Sequence, residues 1–161
     1  MSGSTVKKVL VRRFDRESLV GFVNPQNYLQ PVGIELLRPD GTISLLTYEE
    51  VKTVYFVKDF DVAEEPSGPR VFNTRPKIGG LWVRLRFRDR EIMEGVLLND
   101  LLRLDVYGFT LVPPDPSFTQ QRVFVPRAAV DECQVLGVVG SPLTRRKAKP
   151  VPKEQIELFE K

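Results

Sequence analysis

VLVRRFDRESLVG, residues 9–21, and VRLRFRDREIMEG, residues 83–95, decide how this chain is read. Laid over each other at an offset of 74 residues (83 − 9), they place Val9 on Val83, Arg12 on Arg86, Asp15, Arg16 and Glu17 on Asp89, Arg90 and Glu91, and Gly21 on Gly95. The match continues outward with small steps in the offset. At 75, Gly33, Leu36, Pro39 and Asp40 fall on Gly108, Leu111, Pro114 and Asp115; at 79, Val51 falls on Val130 and Phe56 on Val135. Offsets that grow only inside turn-like segments mark a duplicated unit with loop insertions. Residues 7–60 and 79–139 therefore read as two copies of one unit.

Within each copy the apolar period is two, β-branched and aromatic residues abound, and turn residues separate the runs. The first copy predicts strands at 9–14, 17–24, 33–38 and 42–47, a turn of helix at 48–51 and a last strand at 53–57. The second repeats this order, with a longer hairpin loop at 113–121 and its helical turn at 126–130. The expected fold is all-β: two tandem five-stranded small barrels, at 1–62 and 77–140, joined by a linker at 63–76. A basic tail at 141–161 follows, with a possible short helix around Ile156, Leu158 and Phe159. A barrel of about 60 residues buries only about 60% of its unfolded surface, so the two are expected to pack on each other.

A bent second strand marked by Gly21 or Gly95, with one helical turn before the final strand, resembles the SH3-like and Sm-like small barrels. Sm-type RNA binders carry an Asp and an Asn after the bent strand and a basic pair before the last strand. The corresponding stretches here are Asn24 to Tyr28 and Thr47 to Glu50, then Asp100 to Arg103 and Pro126 to Ala129. Neither copy has the pair, so the resemblance implies the strand order and not the uridine pocket. Val51 to Phe60, VKTVYFVKDF, resembles the closing signature of an uncharacterised bacterial domain family, which implies a strand and no function.

The 161 residues include no histidine, which removes Ser-His-Asp and Cys-His nucleophiles and the usual general base near neutral pH. No enzyme, cofactor or metal is expected. The single cysteine, Cys133, offers no internal disulfide and is expected to be a buried inert thiol. Apolar runs fall short of the roughly 20 residues a membrane helix needs, and the N-terminus lacks a signal-peptide core, so a soluble cytoplasmic protein is expected. The net charge is +3. Residues 1–62 and 77–140 each hold eight basic and eight acidic side chains, while 141–161 hold six and three. The excess therefore belongs to the tail, where Arg145, Arg146, Lys147 and Lys149 are candidate nucleic-acid contacts.

Three constellations in the body of the chain bear on function. Arg12 and Arg16 have the arginine spacing of a PilZ cyclic-dinucleotide site, but Arg16 stands where its second element needs Asp or Asn, two places before Ser18. Asp15 with Glu17, and Asp89 with Glu91, are paired carboxylates at hairpin turns beside arginine, where they are expected to serve the turn and not acid-base chemistry. In 81–88, Leu81, Val83, Leu85 and Phe87 alternate with Trp82, Arg84, Arg86 and Arg88, so a tryptophan and three arginines face outward. That strip could hold single-stranded nucleic acid, or be a solvated face paired with acids such as Glu94. The equivalent outward positions of the first copy, Leu10 and Phe14, are apolar and need cover; they are the candidate interface. The expected function is a non-enzymatic binding or assembly module acting through protein association or self-association, because small barrels expose strand edges. The alternative is RNA or single-stranded DNA binding through the Trp82 strip and the tail.

Overall fold

The period-two segments form eleven strands in a computed structural model of the chain, which describes residues 6–60, 70–114 and 122–140. The first six are β1 (Lys7–Arg13), β2 (Leu19–Val23), β3 (Leu29–Gln30), β4 (Gly33–Leu37), β5 (Ile43–Leu46) and β6 (Val51–Phe56). The second group is β7 (Gly80–Phe87), β8 (Ile92–Leu97), β9 (Gly108–Val112), β10 (Arg122–Pro126) and β11 (Val130–Val139). All are drawn into one antiparallel sheet, ordered β11-β7-β8-β9-β10-β6-β1-β2-β4-β3, with β5 also paired to β4.

Both halves pair their strands in the same order, β5-β4-β2-β1-β6 and β10-β9-β8-β7-β11. Registers agree as well: Val9 lies opposite Gly21 and Phe56, and Val83 opposite Gly95 and Val135. The last strand of each half carries one extra residue near its start, Lys52 in β6 and Asp131 in β11. Gly21 and Gly95 sit where the second strand passes close to its neighbour. A Cβ on Gly21 would lie 2.5 Å from the Leu37 carbonyl oxygen, and one on Gly95 2.9 Å from Leu111 Cβ.

The expectation of two closed five-stranded barrels is corrected: the sheet is single and open. In its middle, Phe56, Tyr55 and Val54 of β6 pair with Arg122, Val123 and Phe124 of β10. This ladder uses one outer edge from each half, while β5 and β11 keep a single strand neighbour each, so neither half closes on itself.

Two clusters of buried side chains form the core, and each draws on both halves. Val9, Val11, Ile34, Leu36 and Val54 gather with Phe124 from the second half. Val83, Leu85, Met93, Leu111 and Val123 gather with Leu10, Tyr55 and Val57 from the first. Strands β1, β6 and β10 thus bury residues on both faces, which explains their unbroken apolar runs. Each fully buried aliphatic or aromatic side chain contributes about 1.5–3 kcal/mol through its removal from water.

Several local expectations change. Tyr48–Glu50 is a hydrogen-bonded turn rather than a helical one, closed by Glu50 N–H donating to the Thr47 carbonyl at 3.2 Å. Its counterpart in the second half is a 3-10 turn at Arg127–Ala129. Of the segment assigned to a linker, the part from Arg70 packs on the second half: Arg70 bridges Met93, and the Phe72 ring meets Trp82 edge-on at 6.3 Å. Cys133 is exposed on β11 rather than buried, because that strand is an edge. The rest of the linker, the loop tip at 115–121 and the tail at 141–161 lie outside the described residues. Among the described residues no helix is long and apolar enough to cross a membrane.

Candidate functional site

The outward face of β7 is built by the alternation seen in the sequence, and its polar groups turn to neighbouring side chains. Glu94 on β8 is 3% exposed and sits opposite Arg84 in the ladder. One of its oxygens accepts from Trp82 Nε1 at 3.0 Å and from the Phe72 amide at 3.1 Å, and the other from Arg84 Nη2 at 3.0 Å. A buried carboxylate is tolerated because four donors, counting Arg84 Nε, replace its water. Arg86 Nε donates to Asp131 at 2.8 Å, and this carboxylate pushes the guanidinium above its ordinary range. Arg88 donates to the backbone carbonyls of Ala128 and Glu49, and its guanidinium lies 3.9 Å from the centre of the Phe14 ring. Trp82, Arg84, Arg86 and Arg88 therefore share a strand face, and each is engaged within the chain. Arg145, Arg146, Lys147 and Lys149 lie outside the described residues.

Leu10 is 6% exposed and belongs to the second half's cluster, although it points away from the first half's own core. Phe14 packs against the same cluster and is partly buried. Between them and the β7–β8 turn lies Lys52, buried, with its ammonium donating to Asp89 at 2.7 Å and to Glu91. The rings of Phe87 and Phe14 flank it at 5.0 and 5.8 Å. The carboxylate pair Asp89 and Glu91 thus anchors one half to the other. Arg90, between them, adopts a positive φ of 79°, which closes the tight hairpin.

Phe124 completes this joint on its opposite side: fully buried, it meets the Tyr28 ring edge-on at 5.9 Å. Tyr48 and Tyr107 stack across the halves at 5.0 Å, and burial pushes the Tyr48 hydroxyl up to about 12 while it donates to the Gln30 carbonyl at 2.6 Å. A cleft of about 670 Å³ beside the joint is lined by Lys7, Lys8, Tyr28, Arg103, Asp105 and Arg122.

Among the described residues two outer strands, β5 and β11, have one strand neighbour each and carry exposed apolar side chains. On β5, Ile43 is 66% and Leu45 51% exposed; on β11, Val135 is 62% exposed. Although Cys133 is exposed, the atoms that flank its thiol desolvate it enough to raise it above its ordinary range, against a lowering effect of Arg127. Among the described residues no cluster of three or more metal-ligating side chains occurs.

The sequence reading missed Lys52, Tyr55 and Phe124. For Tyr55 and Phe124 a signal existed: VKTVYF and RVFVP place apolar residues at consecutive positions, the pattern of strands buried on both faces. For Lys52 none did, since its partners lie 37 and 39 residues away.

DUF6982, a family of unknown function, matches residues 5–137, so the chain belongs to that family. This agrees with the likeness to an uncharacterised domain family carried by Val51 to Phe60. No curated protein and no solved structure matches the chain.

Proposed function

For this member of a family of unknown function, we propose a non-enzymatic module that acts by protein association, offering the open edges of its sheet to a partner's strand. The observation that carries this reading is the pair of bare edges, β5 and β11, each with one strand neighbour and exposed apolar side chains. Edge strands in folded proteins are ordinarily shielded by lysine, proline or covering loops. The four residues of β5, Ile43 to Leu46, include neither lysine nor proline. Added strands gain affinity from main-chain hydrogen bonds and specificity from alternate side chains. We further read the halves as two copies of a small five-stranded unit with the SH3-like or Sm-like strand order, opened out where they join. The shared pairing order supports this. Nucleic-acid binding by the body of the chain is disfavoured, because Trp82, Arg84, Arg86 and Arg88 already have partners.

The test is capture of the full chain's associates from native extract, with and without nuclease, beside a Leu45→Lys, Val135→Lys variant. Association that survives nuclease and is lost in the variant supports the reading. Association that nuclease removes, or that the variant retains, overturns it.

A further inference from the structure

The joint inside the chain leaves its two halves with complementary edges. β11 stands to β7 as β6 stands to β1: Val54, Tyr55 and Phe56 face Val11, Leu10 and Val9, while Cys133, Gln134 and Val135 face Leu85, Arg84 and Val83. β5 stands to β4 as β10 stands to β9: Ser44 and Leu45 face Leu36 and Glu35, while Val123 and Phe124 face Leu111 and Thr110. Inside the chain a β6-type edge meets a β10-type edge. Apart from the two-residue β3, the edges left over among the described residues are one of each type.

We propose that β11 of one chain pairs with β5 of a second copy, repeating the internal joint between molecules. The offset of 79 that relates β6 to β11 and β5 to β10 fixes the register. Phe56 opposite Arg122 becomes Val135 opposite Ile43, Tyr55 opposite Val123 becomes Gln134 opposite Ser44, and Val54 opposite Phe124 becomes Cys133 opposite Leu45. The proposal rests on the association reading above and names the partner.

Side-chain exposure follows the same correspondence. Phe124 is clasped by Tyr28 inside the chain. Leu45 occupies the place of Phe124; the turn in which the Gln26 amide donates to Asn24 recurs with the Leu102 amide donating to Asp100, which carries Tyr28 to Leu104, a partly buried residue. The knob is uncovered on the free edge and covered in the joint. Because the contact is head-to-tail, a pair of chains still has one edge of each type free, and assembly continues to a ring or an open row.

Charge sets the strength. Lys52, the buried anchor of the internal joint, corresponds to Asp131, and its partners Asp89 and Glu91 correspond to Asp15 and Glu17. Between chains a carboxylate thus faces two carboxylates, with the Arg86 guanidinium bound to Asp131. The intermolecular joint is weaker than the internal one, and salt, by screening this repulsion, strengthens it. That sign is opposite to phosphate binding, which salt weakens.

The test is sedimentation of the full chain as a function of concentration. The mass is expected to rise above the 18.4 kDa of one chain, and Asp131→Lys to lower the half-association concentration by at least about tenfold. In that background Leu45→Lys and Val135→Lys should each give monomers alone. Mixed in equal amounts they should give a dimer that grows no further, since each retains the edge the other has lost. Leu45 and Val135 are surface residues, and the dimer in the mixture itself reports that both variants fold. A wild-type chain that stays monomeric up to about 1 mM, growth that persists with Leu45→Lys, or a mixture that remains monomeric overturns the proposal. Nuclease-resistant capture of other proteins that is lost with Leu45→Lys, Val135→Lys would then leave the association reading standing without it.

Discussion

β1 and β7 hold the same place in their halves and end in different surroundings. Val9, Leu10 and Val11 are all buried, whereas β7 buries Val83 and Leu85 and leaves Arg84 exposed between them. Their backbone partners correspond residue for residue, so the difference lies in what covers the outer face. The second half's core lies over Leu10; over Arg84 there is solvent and the carboxylate of Glu94. The face beside the paired edge has become core, and the face beside the free edge has kept its charges and neutralised them locally. A repeated backbone does not dictate which surface is buried; the side chains on its outer positions do.

Four measurements break or sharpen this comparison. The largest effect is expected from Leu10→Arg, which installs the residue of β7 in β1. An unpaired charge would then sit in the second cluster, and urea unfolding should show stability reduced by more than about 4 kcal/mol or no folded chain. A midpoint near that of the unaltered protein would mean that the outer face of β1 is not core. Phe124→Ala comes next, at about 3–5 kcal/mol for a fully buried ring, against less than about 0.5 kcal/mol for Leu45→Ala at the matching position of β5 in the monomer. Equal costs at the two sites would erase the distinction between joint and free edge.

Glu94→Gln should cost about 1–3 kcal/mol, because its amide nitrogen would face the Arg84 guanidinium or the Trp82 indole N–H and leave a buried donor unmatched. Val20, its counterpart in the first half, lies opposite Leu10 and needs no such partner. The smallest effect concerns the turn before the last strand. In the first half Glu50 is partly buried, which opposes ionisation. Hydrogen bonds from the Thr47 amide and hydroxyl and from Arg13 nevertheless hold its carboxyl below the usual range. Its counterpart in the second half is Ala129, fully buried. A lowered folded-state pKa contributes stability that is present above the unfolded value of about 4.3 and is lost as pH falls through the folded value. Glu50→Gln should therefore cost up to about 1 kcal/mol at pH 7 and progressively less as pH is lowered below about 4, read as the difference in urea midpoints. A cost that does not shrink on acidification would assign Glu50 a packing role like that of Ala129.

Much of the local structure is legible in the sequence. Asp15, Arg16 and Glu17 against Asp89, Arg90 and Glu91 mark the hairpins, and Gly21 and Gly95 mark the close approach of the second strand. Period-two patterns carry that information because they report one buried face. The joining of the halves is not legible in the same way. β6 and β10 are buried on both faces, so alternation disappears where the long-range ladder forms, and period says nothing about which strands meet. Arg84 and Trp82 were readable as outward-facing and Glu94 as an acid able to pair with them; that Glu94 is itself buried, with the Phe72 amide as a further donor, was not, because it depends on the segment from Arg70 packing over β8. Cys133 was expected to be buried as the single cysteine of the chain; its exposure follows from β11 being an edge, a property of topology and not of the strand itself.

Phe124 in the first cluster has a consequence for synthesis. During translation the N-terminal half leaves the ribosome with its core lacking a wall, because the side chain that fills it lies in residues 122–126, near the end of the described chain. Leu10, Tyr55 and Val57 likewise remain uncovered until the second half exists. Where domains generally fold one after another from the N-terminus, here neither core is complete until residues 122–126 have been made, so the two halves fold together rather than in turn.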